Sequence, residues 1–295
     1  MRLFGRTVKL IIYADNKATI ITDLDIEFDV MSSLDKQPNT AVVRVYQLSE
    51  YTRNLFQEEH QAVELHAGYG GNISMIFKGF TFEVNHTKSG PTWTTEIYSG
   101  EGIKEFEKAT FSKSYTSGTL ASYILTDMAE AFGLPFTIDP LLADVPILRG
   151  RTYSGRVKDV LTRATKTFGM QWSIQHGILE IIEEGSYTKN NPTAVLLKPG
   201  TGLVQPPEII NRTKKGGRKV KAVKAKSLLN PDLVPGRLIK IEAPSTIQAK
   251  ADPKKAKRKK PETIDASGVY IVQRVRYYGS RTGPDYYAEV EADLQ

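Results

Sequence analysis

Between Ser117 and Glu184 the chain writes one small unit twice. In the first copy Leu120, Ile124, Leu125, Met128 and Phe132 fall on one stripe of a 3.6-residue helix. Ser117 is placed to cap that helix, because its hydroxyl can accept a free first-turn N–H. Gly133 stands where the chain must turn left-handed to leave it, which glycine does without a Cβ clash. Phe136 and Ile138 then alternate as a one-sided strand does. The second copy repeats the stripe with Val157, Val160, Leu161, Ala164 and Phe168, the cap with Ser154 and the stop with Gly169. Trp172 and Ile174 alternate after it, and His176-Gly177 turns the chain back into a strand from Ile178 to Glu184.

No catalytic residue sits at either glycine stop, so the plain reading is a packing module. Its dozen apolar side chains do not offset the entropy of ordering its whole length, so it must lean on flanking sheets. The chain around it has 295 residues, enough for two or three domains. It contains no apolar run long enough to span a membrane, and Met1–Ala14 alternates like a strand and lacks a small-residue cleavage site. Cysteine is absent, which excludes disulfides, thiolate catalysis and cysteine-ligated metal.

The expected fold is mainly β with an α+β insert. Residues 1–105 read as one β domain, 106–190 as the helix–strand module and 191–295 as a second β domain. In the first, strands are expected at Val8–Tyr13, Ile20–Val30, Thr40–Leu48, Ala62–Ala67, Ile73–Phe77, Phe80–Asn85 and Trp93–Tyr98, with a short helix over Glu50–Glu58. Ile20–Val30 has period two throughout. Ile20, Thr22, Leu24, Ile26, Phe28 and Val30 share one face, and Asp23, Asp25, Glu27 and Asp29 share the other. Such a row has three readings: a cation site, a solvated face, or a wall beside a negatively charged traveller. A flat strand spaces same-face groups about 6.5–7 Å apart, which does not converge them on a cation.

The chain's net charge of +7 hides an asymmetry. Residues 1–184 carry 18 Lys and Arg against 23 Asp and Glu, and residues 185–295 carry 22 against 10. In the module, Asp139–Tyr153 reads as a loop. In the last domain, strands are expected at Lys219–Leu229, Arg237–Ala243, Gly268–Tyr278 and Pro284–Leu294, forming an antiparallel meander. The connection 244–267 holds Lys250, Lys254, Lys255, Lys257, Arg258, Lys259 and Lys260 with no aromatic residue. Like charges push it open, so it reads as a long finger between two strands. Eight more Lys and Arg lie between Arg212 and Lys226. Nucleic-acid binding, docking on an acidic partner and a solvated surface all fit these runs. Aromatic interleaving for base stacking is absent.

Catalytic constellations are missing. His60, His66, His86 and His176 form no close helical ligand pair. No phosphate-cradling glycine loop and no nucleophile elbow is present. The reading is therefore not an enzyme, with no catalytic, cofactor or metal residues and no cofactor.

The order of parts resembles the baseplate hub proteins of tailed phages, of the late-control gene D type, which are similar to the base of type VI secretion spike proteins. The residues that carry the resemblance are Gly118-Thr119-Leu120 opening a helix that ends at Phe132-Gly133-Leu134, Gly155 to Gly169 followed by Trp172, and Ser227 to Arg237 around Asn230-Pro231. The resemblance implies two tail-tube-like β-barrel domains flanking the central module. It implies a homotrimer whose six barrels form a pseudo-sixfold ring between the hexameric tail tube and the trimeric central spike. The implied partners are a tail-tube or tube-initiator protein, the spike as a separate protein, the tape-measure protein, neighbouring baseplate proteins, and DNA passing without sequence-specific binding. The implied place is the tail baseplate of the virion, assembled in the host cytoplasm without a membrane anchor. Asp23, Asp25, Glu27 and Asp29 would then line the channel and repel DNA, and the basic finger would dock on a neighbour. The base of a secretion spike, a basic nucleic-acid-binding protein and a hydrolase with a dispersed site are the alternatives.

Overall fold

The structure is a computed structural model that describes residues 5–14, 17–57, 60–70, 72–139, 145–188, 193–213, 219–243, 246–248, 262–264 and 266–295. The chain opens with β1 (Arg6–Ala14), β2 (Lys17–Ile21), β3 (Ile26–Ser33), β4 (Thr40–Tyr46), α1 (Glu50–Asn54), β5 (Ala62–Tyr69), β6 (Asn72–Ser89) and β7 (Thr92–Gly100). The middle holds α2 (Ile103–Lys108), β8 (Thr110–Tyr115), α3 (Ala121–Phe132), β9 (Phe136–Ile138), β10 (Arg151–Arg156), α4 (Val157–Thr167), β11 (Met170–Gln175) and β12 (Ile178–Glu183). The last part holds β13 (Val195–Leu197), β14 (Glu208–Thr213), β15 (Lys219–Leu228), β16 (Leu238–Ile241), β17 (Thr246–Gln248), β18 (Glu262–Ile264), β19 (Gly268–Ser280) and β20 (Tyr286–Leu294).

The molecule is mainly β, and most strands belong to one largely antiparallel 13-stranded sheet. Its hydrogen-bonded order is β14-β15-β20-β19-β3-β4-β7-β6-β5-β1-β2, with β13 and β16 branching at β19. That order is open, so no closed ring of strands forms among the described residues. The strands of both β domains belong to one continuous sheet, because β3 near the N-terminus pairs with β19 near the C-terminus from Arg274↔Ser33 to Ser280↔Glu27. One apolar cluster runs through both halves, from Val8, Phe28, Val43 and Leu65 to Val223, Val275, Tyr286 and Val290.

The stretch Ile20–Val30 is two strands. β2 completes a hairpin with β1 at the sheet edge, whereas β3 lies mid-sheet between β4 and β19. No single straight strand serves both places, so the chain breaks over Thr22–Asp25. In the opposite sense, Gly79 does not end a strand. It lies inside the continuous β6, where a Cβ would fall 2.5 Å from the Gly100 carbonyl oxygen, so the close strand approach requires glycine. The expected short helix is α1, capped by Ser49 accepting the Thr52 amide, and then a 3₁₀ turn over Leu55–Gln57. The C-terminal strands do not run as a meander. β15 pairs with β20, and β16 pairs with β19, so consecutive β15 and β16 are not neighbours.

The module has its own core of Ile124, Leu125, Met128, Phe132, Val157, Val160, Leu161, Trp172 and Ile174, among others. Both helical stripes face it, apart from Leu120, which precedes α3 and is exposed. α3 stops at Gly133 with φ +87°, and Gly169 follows α4 with φ +69°. Neither serine caps its helix. α3 starts after Leu120 and α4 after Arg156, and the Ser117 hydroxyl donates to Leu148 O at 3.0 Å. Ser154 is instead in β10, which pairs with β8. The expected loop over Asp139–Tyr153 thus ends in a strand, because Arg151–Arg156 finds Thr110–Tyr115 as an edge to pair with. β11 and β12 form the hairpin expected at His176-Gly177, and β9 joins it in parallel. The two copies therefore share one three-stranded sheet.

Candidate functional site

The outer face of the long sheet carries a ladder of charge that changes sign from strand to strand. Glu96 of β7 opposes Arg44 of β4, and Arg44 opposes Glu27 of β3. Arg274 and Arg276 of β19 oppose Glu291 and Glu289 of β20, which oppose Lys224 and Lys226 of β15. Asp29 completes the set by crossing from β3 to β19 on a diagonal, accepting from Arg276 through two hydrogen bonds of 2.9 and 2.6 Å. Five carboxylates thus face five cations over six strands. Period two puts every one of them on the side away from the apolar core.

The contacts are specific. Arg44 donates from Nε to Glu96, and that contact holds the Arg44 pKa up and the Glu96 pKa down. The Asp29 hydrogen bonds raise the Arg276 pKa first of all causes. Arg274 donates to Asp35 at 2.8 Å. Tyr278 hydroxyl donates to Glu289 at 2.9 Å, and the Lys226 ammonium lies 4.1 Å from the Tyr287 ring centre. A groove of about 400 Å³ lies on this face, lined by Glu27, Asp29, Arg44, Arg276, Tyr278 and the β19–β20 turn. Each pair is half-exposed, so each contributes about 0–1 kcal/mol and weakens with salt. The chemical character of the face is near-neutral and dense in polar groups.

The four residues of the acidic row part company here. Glu27 and Asp29 stand outward on β3 within the ladder. Asp23 and Asp25 lie in the β2–β3 connection, where the Asp25 carbonyl accepts the Tyr46 amide at 3.1 Å. The row is therefore not an unbroken wall of carboxylates, and the basic strands beside it compensate its inner half. Lys250, Lys254, Lys255, Lys257, Arg258, Lys259 and Lys260 lie outside the described residues. On either side of them β17 and β18 pair as a short hairpin, Thr246↔Ile264 to Gln248↔Glu262. Sequence reasoning missed the basic rungs. The signal was there, since Arg274, Arg276 and Tyr278, then Tyr287, Glu289 and Glu291, then Lys224 and Lys226 are each spaced by two.

No protein-family model and no curated protein matches the chain by sequence. Solved structures do match by fold. A tail protein from Neisseria meningitidis superposes with a TM-score of 0.66 at 10% identity, over 99% of this chain and 97% of that one. The 43 kDa tail protein of prophage MuSo2 from Shewanella oneidensis gives 0.63 at 10% identity, over 97% and 98%. A type VI secretion component from Escherichia coli, described as similar to the bacteriophage T4 tail proteins gp27 and gp5, gives 0.60 at 12% identity, over 92% and 74%. The chain shares its fold, nearly end to end, with phage tail proteins and with this secretion component. At these identities the likeness is one of fold.

Proposed function

We propose that the chain is a structural component of a phage tail, the hub of its baseplate. The observation that carries this reading is the end-to-end fold likeness to two tail proteins, with almost nothing left over in either chain. The continuous sheet adds a physical reason. Pairing of β3 with β19 joins residues 1–105 and 191–295 into one body, with the module of 106–190 alongside. If each half acts as one tube-like unit, three chains supply six such units. A ring of that kind meets a sixfold tube on one side and a threefold spike on the other.

In this reading the charge ladder lines the channel. Its paired charges make a poor binding site for DNA phosphates, whose affinity needs uncompensated cations. A polyanion or an extended protein would slide past without sticking. The role originally expected of Asp23, Asp25, Glu27 and Asp29 is kept only in this softer form, in which Glu27 and Asp29 act with Arg44 and Arg276. The basic finger of 244–267 would dock on an acidic neighbour in the baseplate. Light scattering with negative-stain imaging of the purified chain tests the central claim. A trimer with a central hole is expected, alone or on adding the spike protein. A monomer that stays monomeric with both tube and spike proteins and binds DNA tightly at moderate salt would overturn it.

The likeness to the Escherichia coli component favours a second reading, the base of a secretion spike. Detecting the chain by mass spectrometry in purified phage particles, rather than in a secreted spike fraction, separates the two.

A further inference from the structure

The module sits on the long sheet through a buried polar seam. Asn39 lies just before β4 and Glu101 just after β7, and both are almost wholly buried. The Asn39 amide nitrogen donates to Glu101 Oε2 at 3.0 Å, to Ile174 O at 2.7 Å and to Gln175 Oε1 at 3.2 Å. Gln175 returns a hydrogen bond from its own amide to Ser33 O at 2.7 Å. Ser33 N–H in turn donates to Asn39 Oδ1 at 2.8 Å, which closes the circuit between β3 and β11. Beside it the module presses on Gly102, where a Cβ would fall 2.9 Å from both Ile174 Cδ1 and Leu134 Cδ1. On the flank the contact gives way to a cleft of about 670 Å³ between Tyr13, Glu64, Met75 and Lys78 of the sheet and Leu134, Pro135, His176 and Ile178 of the module.

The Glu101 carboxyl is fully buried in this seam and has no ion-pair partner among the described residues. The groups around it do not supply one. From β5 and β6, Lys78 is held by Glu64 at 3.1 Å, and Glu64 also takes His66 at 3.3 Å. From the β11–β12 turn, burial and then His66 keep the His176 pKa low, so its ring is neutral at pH 7. From β19, the Tyr277 hydroxyl donates to Leu233 O at 2.8 Å. α2, next in the chain, carries Lys104, Glu105, Glu107 and Lys108, none of which pairs with Glu101 among the described contacts. One Glu101 oxygen, Oε1, is left without a hydrogen bond. Burial raises the Glu101 pKa to about 8, and the Asn39 amide and the N–H groups of Lys78, His176 and Gly177 offset only part of that.

We propose that this seam is a proton-linked latch, in which protonated Glu101 holds the module on the sheet and its ionisation loosens the module as a unit. The sign follows from linkage. The docked state binds a proton that the undocked state releases, so docking weakens as pH rises from the ordinary glutamate value, 4.5, to about 8, and is level above it. In that window the opening equilibrium grows up to about tenfold per pH unit.

The chain contains no cysteine, so one introduced thiol reports alone. Leu134→Cys places it where the module meets Gly102, and Ala41→Cys places a second reporter in the sheet core. Thiol labelling of the full chain is compared with that of the denatured chain from about pH 5.5 to 9. Protection at position 134 is expected to fall with pH while position 41 keeps its own, and Glu101→Gln is expected to remove the slope. A flat profile, an unchanged slope in Glu101→Gln, or loss of both reporters together would overturn the latch. Should Glu101→Gln fail to fold, ¹³C-carboxyl spectra of the parent chain decide. A glutamate titrating near 8 supports the latch, and titration of every glutamate below about 5.5 refutes it.

Discussion

The phenol of Tyr286, on the last strand, accepts the amide of Gly68 at 2.9 Å, and its own proton has the carbonyls of Thr7 at 2.8 Å and Gly68 at 3.0 Å within reach. Its ring stands edge-on to Phe28 at 5.8 Å and Tyr69 at 5.2 Å. A side chain from the C-terminal half is thus built into the core of the N-terminal half. Tyr286→Phe keeps the ring but strands a buried N–H, and is expected to cost about 1–3 kcal/mol. Tyr286→Ala removes the packing as well, for about 3–5 kcal/mol. Urea unfolding checks both, with a shifted midpoint and an unchanged slope.

That contact also marks where the sequence stops being readable. Local period shows whatever is made locally. Ile124, Leu125, Met128 and Phe132 announce α3, and His176-Gly177 announces its hairpin, because the partners lie within a few residues. Pairing of Val30 with Tyr277 joins residues almost a chain length apart, and nothing in either strand names the other. The unbroken alternation of Ile20–Val30 misled for the same reason. Both of its halves are one-sided strands, but they belong to distant places in one sheet. Ser117 and Ser154 had capping chemistry without capping positions, since Ser117 lies in a turn ahead of the bridge between Leu120 and Pro146, and Ser154 is held extended in β10. The acidic half of the ladder was legible, and its basic half waited on strand order. The seam was invisible, because Asn39, Glu101 and Gln175 look like ordinary surface residues until the module covers them.

Gly102 should be intolerant of any side chain. Its φ of +58° disfavours a Cβ, and that atom would meet Ile174 and Leu134 within 2.9 Å. Gly102→Ala is expected to destabilise by about 1–3 kcal/mol, with the loss concentrated in module docking. Hydrogen exchange would show α3 and β11 losing protection before β3 and β4 do. Equal loss in all four would mean that the two bodies do not separate.

The Asp29–Arg276 pair tests how much the ladder matters to the fold. Both side chains are about 40% exposed or more, so solvent screens the attraction. A double-mutant cycle with Asp29→Asn and Arg276→Gln is expected to give a coupling under about 1 kcal/mol that shrinks further in high salt. In the proposed channel, removing the acids alone should matter more to a passing polyanion. Replacing Glu27 and Asp29 together by Gln and Asn unmasks Arg44 and Arg276. DNA retention on the assembled protein is then expected to rise and to fall steeply with added salt. Unchanged retention would argue that this face lies away from the passage.

Asp127 on α3 ties the helix to β8 and gives the module an acid limit. It accepts from the Tyr115 hydroxyl at 2.6 Å and the Lys113 ammonium at 2.5 Å. Burial alone would raise its pKa, but these two donors outweigh burial and hold it below the ordinary 3.8. A depressed carboxylate pKa adds stability that is present above the unfolded value and lost as pH falls through the folded one. The carboxylate is only partly covered, so the contribution is under about 1 kcal/mol. Asp127→Asn is therefore expected to lower the melting temperature modestly at pH 7, by an amount that shrinks as pH falls below 3.8 and the parent carboxyl takes up its proton. A thermal melt series across that range reads the difference. It runs opposite in sign to Glu101, whose proton the docked state keeps, so the module is pressed from both ends of the pH scale. A deficit of Asp127→Asn that did not shrink as pH fell would assign the role of Asp127 to shape rather than charge.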